Sequence, residues 1–300
     1  MTEVYFKGLK HVFHVASTAL DMRLFGHDIH IRWYGVIITF GFLLAVLFGG
    51  RMAYKWKMNL DKMIDVLIGG TIGGILGARL YYVVFHWESY RGNIVEVFRI
   101  WEGGLAIYGG LIGGLIAAAI VCKLRKLDFL KLLDVCSMSF LIGQGIGRWG
   151  NFTNQEAFGT NTNLPWGMWS EKTAEYINYN GREIAARGIH AVAGTLEAKA
   201  YVHPTFLYES LWCLLSFALI YLICRKWHKF SGQLMLCYGV LYGAERFFVE
   251  GMRLDSLYLG GSNLRVSQLV SAILVIICLA GLIILLLRQR KKEGNTVELA

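Results

Sequence analysis

Long uninterrupted runs of apolar residues dominate this sequence, and they restrict its folding more than any motif does. A stretch such as Val266–Leu287 has no broad polar face to turn toward water, so it cannot be an ordinary surface helix. A bilayer core of about 30 Å takes about 20 apolar residues in helical form. Seven blocks approach that length, near residues 33–50, 63–85, 103–122, 132–147, 205–224, 233–249 and 266–287. The expected class is therefore an all-α integral membrane protein with about seven transmembrane helices and a small outer-face head domain. Only 17% of the residues are charged, against about 25% in soluble domains. The 35 glycines suit close helix packing in lipid, and with two prolines the chain holds no proline-rich linker.

The basic residues set the orientation. Arg51, Lys55, Lys57 and Lys62 precede the second block, and Lys123, Arg125, Lys126 and Lys131 follow the third. Arg225, Lys226 and Lys229 follow the fifth, and Arg288, Arg290, Lys291 and Lys292 follow the last. With seven spans all four clusters share one side, which the positive-inside rule makes cytoplasmic. The C-terminus is then cytoplasmic and the N-terminus outside. The division reads as an outer-surface arm (1–32), a transmembrane domain (33–287) with an outer-face insertion at about 148–204, and a basic cytoplasmic tail (288–300). The first 30 residues lack the apolar core of a signal peptide, so no cleavage is expected. Asp28, His30 and Arg32 alternate with Ile29, Ile31 and Trp33, the period of an extended strand. The insertion is polar, with a short helix expected near Glu171–Tyr179. The net charge of +9 is accounted for by topology and lipid headgroups, so no nucleic-acid partner is expected. Cys122, Cys136, Cys213, Cys224, Cys237 and Cys278 all lie in spans or at their cytoplasmic ends, so neither a disulfide nor a metal site is expected.

Ionisable groups at the edge of lipid are costly and therefore candidate functional groups. The densest set runs from Gly143 to Gly159 and holds Gln144, Arg148, Asn151, Asn154 and Glu156 among glycines. Arginine offers a planar fork of donors suited to phosphate, while asparagine and glutamate can orient a substrate or move a proton. The bland alternative is a capped helix end with a structural Arg–Glu pair. A second set is Tyr242, Glu245, Arg246, Glu250 and Arg253. Arg246 and Glu250 share a helix face, and Arg253 reads in the bland alternative as snorkelling to the interface. A third is Gly77-Ala-Arg79 with Tyr81, Tyr82 and His86, where Arg79 either snorkels outward or pairs with Glu102 or Glu156. A fourth, Gly103 to Gly113 around Tyr108, opens the third span, and its glycines serve equally well as packing residues. A fifth is His203-Pro204-Thr-Phe-Leu-Tyr208-Glu209, with Glu209 one turn inside a span and in need of a polar partner. A sixth is Arg32-Trp33-Tyr34-Gly35, whose aromatics also serve as interface anchors.

All six sets fall in the outer halves of their spans, so several cations and amides would converge on one polar cavity open to the outer leaflet. Such a cavity suits the headgroup of an anionic lipid. No Walker loop, zinc spacing, nucleophile elbow or dinucleotide fingerprint accompanies it. The rival class is a membrane transporter or channel for an anionic small molecule, using the same arginines for selectivity. Such a protein should carry polar residues through to the cytoplasmic side and show internal repeats; the cytoplasmic halves here are largely apolar, and no repeat is visible. A structural scaffold for secretion leaves the outer charged sets without a purpose.

These motifs resemble those of the prolipoprotein diacylglyceryl transferase family of bacterial membrane enzymes. Gly147-Arg148-Trp149-Gly150-Asn151-Phe152-Thr153-Asn154-Gln155-Glu156-Ala157-Phe158-Gly159 fits the family's G-R-x-G-N-F-x-N-x-E-x-x-G, and the segment from His203 to Glu209 resembles its H-P-x-x-L-Y-E. Tyr242-Gly-x-x-Arg246 with Val249-Glu250, Trp33-Tyr34-Gly35 and Gly77-Ala-Arg79 resemble further motifs. The resemblance spans about residues 30–290; residues 160–202 match nothing placed. It implies transfer of a diacylglyceryl group from phosphatidylglycerol to the lipobox cysteine thiol of a preprolipoprotein in the bacterial cytoplasmic (inner) membrane. A thioether forms and glycerol-1-phosphate leaves, with no cofactor. By the same resemblance Arg148 and Arg246 bind the phosphate, while Asn151, Asn154, Glu156 and Glu250 hold the site and its arginines. Tyr34 and Tyr242 sit at the headgroup, and Gly159, Arg79 and His203 complete the substrate site.

The chain departs from the family at one place. Many members have histidine where this chain has Tyr108, and that histidine is a favoured base for the thiol proton. Tyrosine, with an ordinary pKa near 10, is a poor base at neutral pH. Either Tyr108 orients the leaving phosphate or Glu156, Glu250 or His203 moves the proton. A thiol of pKa about 8.5 beside arginines is already partly ionised, which lessens the need for a strong base.

Overall fold

The computed structural model describes residues 1–24, 27–259 and 262–298, so Leu299 and Ala300 of the expected tail lie outside the described residues. Strands β1 (Thr2–Phe6), β2 (Val12–Val15), β3 (Thr18–Leu24) and β4 (His27–Arg32) lead into helices α1 (Trp33–Lys55), α2 (Leu60–Phe85) and the short α3 (Trp87–Tyr90). Helices α4 (Ile107–Arg125) and α5 (Phe129–Asn154) follow, then β5 (Met168–Ser170), α6 (Glu171–Ala186), α7 (Thr205–Lys226), α8 (Gln233–Met252) and α9 (Val266–Glu298). Each apolar block contributes a helix, since backbone in lipid must satisfy its own hydrogen bonds.

Among the described residues, six helices are long and apolar enough to cross a membrane: α1, α2, α4, α5, α7 and the first 26 residues of α9. Their outward faces are apolar, as at Leu47, Leu76, Leu80 and Ile276. The expected seventh span, α8, is a helix of 20 residues, but Glu245, Arg246 and Glu250 keep it from meeting the same standard of apolarity. By backbone contacts the chain divides into residues 49–135 and a second unit made of 1–48 with 136–300.

In the unit of residues 49–135, α2 starts at an Asn59 cap whose side chain accepts from Lys62 N at 3.0 Å. It packs on α4 through glycines. A Cβ on Gly77 would stand 2.5 Å from Gly109 O and 2.8 Å from Gly113 Cα, so the two backbones touch where side chains would otherwise hold them apart. The glycines of the fourth sequence set are thus packing residues in part. Gly103 and Gly104 are not helical, contrary to the expected span start at 103: their φ values of 93° and 71° form a turn, and α4 begins at Ile107. That turn is held by Arg79, which is buried and paired with neither carboxylate expected for it. Its Nε donates to Val97 O at 2.8 Å, Nη1 to Gly103 O at 2.8 Å and Gly104 O at 3.0 Å, and Nη2 to Glu96 O at 2.6 Å. The guanidinium fork is spent on backbone carbonyls of the segment that leads into α4.

In the other unit β1 lies between β2 and β5 in an antiparallel sheet of order β2-β1-β5, so the first strand shares a sheet with the 148–204 insertion. The alternation at 28–33 ends in β4, which pairs with β3 as a hairpin. The helix expected near Glu171–Tyr179 runs on to Ala186, started by a capping box between Ser170 and Thr173. Val4, Phe158, Met168, Trp169, Ile177 and Val202 pack with Phe206 and Leu254 into a core that ties the insertion to the ends of α7 and α8. Helix α5 continues well past the expected limit of 147, carrying Arg148 to Asn154 in its last two turns. It then ends at Gln155 and Ala157, both with φ of 56°.

Candidate active site

Three helix ends come together in the second unit. The last turns of α5 carry Arg148, the first turns of α7 carry Glu209, the last turns of α8 carry Arg246 and Glu250, and Arg253 follows directly. Glu209 is 1% exposed and lies at the centre. Its Oε2 is 2.5 Å from Arg148 Nε, and its Oε1 is 3.8 Å from Arg246 Nη1 and 3.9 Å from Arg253 Nη1. Glu250, buried one helical turn beyond Arg246, closes an ion pair from Oε2 to Arg246 Nη2. Its carbonyl accepts from Arg265 Nη1. Arg253 is gripped from its other side by Asp255, Nε donating to Oδ1 at 2.8 Å and Nη2 to Oδ2 at 2.7 Å. Three guanidiniums therefore face Glu209, Glu250 and Asp255, a charge-balanced cluster of the kind that low-dielectric surroundings demand.

The cluster keeps donors in reserve. Arg148 engages Glu209 through Nε alone, and among the described residues no hydrogen bond occupies its two Nη groups. Arg246 Nη1 is buried without a hydrogen-bond partner among the same residues. Donors left open beside an arginine fork fit a tetrahedral oxyanion such as a phosphodiester.

The surrounding motif residues fix this cluster in place. The ring of Tyr34, at the start of α1, lies over Gly150, where a Cβ would stand 2.9 Å from its Cδ2. Asn151 Nδ2 and Asn154 Nδ2 both donate to Glu156 Oε1, at 2.9 and 3.3 Å, so the carboxylate secures the end of α5. Gly159 bridges to Arg253 and donates its N–H to His203 O at 2.9 Å; a Cβ there would stand 2.9 Å from His203 Cβ. His203 Nδ1 is 3.0 Å from Tyr208 Oη, which accepts from Trp166 Nε1 at 2.8 Å, and burial pushes the His203 imidazole below its ordinary pKa. Tyr242 is stacked on Tyr238, ring centres 5.4 Å apart, with Arg148 and Arg246 within electrostatic reach of its hydroxyl. A cavity of about 530 Å³, lined in part by Glu156, Phe158, Lys172, Tyr176 and Asp255, borders this end of the unit.

Of the residues expected from sequence, Arg148, Arg246, Glu250, Tyr34, Tyr242, Asn151, Asn154, Glu156, Gly159 and His203 are joined by these contacts. Arg79 and Tyr108 belong to the unit of residues 49–135. Tyr108 stands in the first turn of α4, and its hydroxyl makes no hydrogen bond among the described residues. Two central groups were underrated. Glu209 was read only as a buried acid in need of a partner, and Arg253 as a residue able to reach the interface; its bidentate pairing with Asp255 keeps it inside. The signal for Glu209 was present: a carboxylate a full turn inside an apolar span. Among the described residues no group of His, Cys, Asp and Glu is arranged to hold a metal ion.

The chain is similar to known proteins over nearly its whole length. The family model described as prolipoprotein diacylglyceryl transferase matches residues 22–284. A phosphatidylglycerol–prolipoprotein diacylglyceryl transferase of Finegoldia magna is 43% identical over 253 residues, covering 84% of this chain and 90% of the relative. One from Listeria innocua is 42% identical over 261 residues, covering 86% of each chain. One from Chloroflexus aggregans is 37% identical over 291 residues, covering 92% of this chain and 91% of the relative.

Proposed function

The chain belongs to the prolipoprotein diacylglyceryl transferase family, and from that membership we propose how its polar cluster carries out the family's reaction. The enzyme transfers the diacylglyceryl group of phosphatidylglycerol to a prolipoprotein. The acceptor is the lipobox cysteine, whose sulfur bonds to the glyceryl carbon as the bond from that carbon to the phosphate oxygen breaks. The thiol proton is released, and glycerol-1-phosphate departs with the electron pair. The reacting thiol belongs to the substrate, in accord with a site built from arginines and carboxylates.

The observation that carries this reading is that, among the described residues, no hydrogen bond occupies the Nη groups of Arg148 or the Nη1 of Arg246, both arginines being anchored by the buried Glu209. A phosphodiester seated there meets preorganised cations at the oxygen where charge develops, which is the usual main source of acceleration in such reactions. Glu250 and Glu209 hold the arginines, Glu156 with its two asparagines holds the end of α5, and Tyr34 and Tyr242 border the headgroup. The relatives' names favour this reading over a transporter of an anionic small molecule.

We place α8 as the seventh span. Its charged residues are compatible with that because Arg246 and Glu250 neutralise one another and Arg246 turns toward Glu209. The basic clusters then face the cytoplasm of the bacterial inner membrane, and the cluster, with the 148–204 head, opens outward. Purified protein incubated with phosphatidylglycerol and a lipobox peptide, with the product read by mass, tests the assignment. Arg148→Ala and Arg246→Ala each abolish the mass gain while the protein still inserts in membranes. Near-normal lipidation by both variants overturns the roles given to them.

A further inference from the structure

Two buried oxygen atoms near the arginines have no partner. Gln144 Oε1 and Glu245 Oε1 are both shielded from solvent and accept no hydrogen bond among the described residues. Polar atoms left in that state are costly, and both residues lie near Tyr238, Gln144 by a hydrogen bond and Glu245 within electrostatic reach, so the pair calls for an explanation. Gln144 lies one turn before Arg148 on α5. Its other amide atom, Nε2, donates to Tyr238 Oη at 2.8 Å, which turns Oε1 away from α8's tyrosine. Glu245 directly precedes Arg246 on α8 and is 5% exposed. It lies within electrostatic reach of Glu209, Arg148, Arg246 and Arg253, yet among the described residues it forms no ion pair with any arginine. The stacked Tyr238 and Tyr242 form an aromatic wall along the same stretch of α8.

A phosphodiester held by Arg148 and Arg246 carries its headgroup into this neighbourhood. The headgroup of phosphatidylglycerol is a glycerol with two free hydroxyls, each a donor in search of an acceptor. A carboxylate accepts hydroxyl hydrogen bonds, a protonated carboxyl both accepts and donates, and an amide oxygen accepts. We propose that Gln144 and Glu245 receive the hydroxyl groups of the phosphatidylglycerol headgroup and thereby select which anionic lipid serves as donor. This rests on the transferase reading above. A site whose buried acceptors are matched to substrate hydroxyls rejects an analogue that lacks them, because the acceptors are then left unpaired.

The test uses the full chain in lipid nanodiscs with a lipobox peptide and two donors in parallel: phosphatidylglycerol, and phosphatidylpropanol, which has the same phosphodiester and three-carbon headgroup without hydroxyls. The wild type prefers phosphatidylglycerol in kcat/KM by about 100-fold or more. Gln144→Leu and Glu245→Leu each lower that ratio by about tenfold or more, whereas Glu245→Gln, which keeps an acceptor, retains most of it. Comparable use of both donors by the wild type overturns the proposal, as does a loss on both donors in equal proportion in the leucine variants. Efficient use of phosphatidylethanolamine that Glu245→Leu abolishes also overturns it, since Glu245 would then be reading a cation. If a leucine variant fails to fold, the wild-type donor ratio and Glu245→Gln decide. Failure of the wild type to transfer from phosphatidylglycerol at all refutes the family reaction itself, a result distinct from loss of donor selectivity.

Discussion

Arg148 Nε and Glu209 Oε2 stand 2.5 Å apart and join the end of α5 to the start of α7 inside the apolar body of the protein. Glu209 also lies within ion-pair distance of Arg246 Nη1 and Arg253 Nη1, at 3.8 and 3.9 Å. Removing its charge takes away the one carboxylate that all three guanidiniums share as an ion-pair partner. Breaking a buried pair from one side costs about 3–5 kcal/mol. Glu209→Gln should therefore lower the thermal midpoint and reduce transfer to a lipobox peptide by about 100-fold or more. Thermal unfolding in detergent and a mass-based transfer assay measure both, and normal activity in this variant would show that the arginines are held by something else.

Arg148→Lys separates charge from geometry. Lysine keeps the cation but loses the planar fork: its remaining donors diverge from a single nitrogen instead of projecting in one plane from separate nitrogens. The expected result is a fall in kcat of about 10- to 100-fold with a smaller change in KM for the peptide. A KM effect alone would place Arg148 in peptide binding.

Tyr108→Phe removes the hydroxyl at the position where many family members carry histidine. That hydroxyl has no hydrogen-bond partner among the described residues and is 38% exposed, so its loss creates neither a buried orphan nor a cavity. Turnover within about threefold of wild type is expected, since a thiol of pKa about 8.5 needs little help to ionise. Complete loss of transfer would assign Tyr108 a direct part in the chemistry.

The apolar blocks were legible because a span has to be continuous, and each became a helix. Their ends were less so. Gly103 and Gly104 count as apolar in any window, yet their positive φ values take them out of α4. Arg148 to Asn154 read as a polar region beyond a span, yet α5 runs through them, with Arg148 paired to Glu209 and both asparagines bonded to Glu156. The motif residues of the site were named from their types and spacing. Glu209 as a shared anchor was not, because pairing between α5, α7 and α8 depends on how separate helices pack, which one-dimensional spacing does not encode. Arg79 shows the same limit: a buried arginine announces a partner, and only the fold reveals that the partner is a set of backbone carbonyls.

Gly77→Leu tests the α2–α4 contact. A Cβ at this position already meets Gly109 O at 2.5 Å, so a longer side chain must push the helices apart. Loss of close packing between transmembrane helices removes their main attraction, since lipid supplies no hydrophobic force between them. The variant should unfold at a clearly lower temperature than wild type, while Gly92→Leu, at a position with nothing within 4 Å of the added Cβ, should not. Equal midpoints for the two variants would mean that the glycine contact contributes little.

Acid should weaken the protein through His203. Burial lowers its pKa in the folded chain, so the unfolded chain binds the proton more readily. The sign follows: the contribution is complete above the ordinary histidine value near 6.5 and is lost as the pH falls from there through the lowered folded value. Its Nδ1 lies 3.0 Å from Tyr208 Oη, which already accepts from Trp166, so protonation also forces this shared hydrogen bond to depend on the tyrosine's remaining lone pair. His203→Gln keeps an amide near Tyr208 without the titration. Thermal midpoints measured from pH 7.5 down to 5 should therefore decline more steeply in the wild type than in His203→Gln, and parallel curves would place the acid-sensitive group elsewhere.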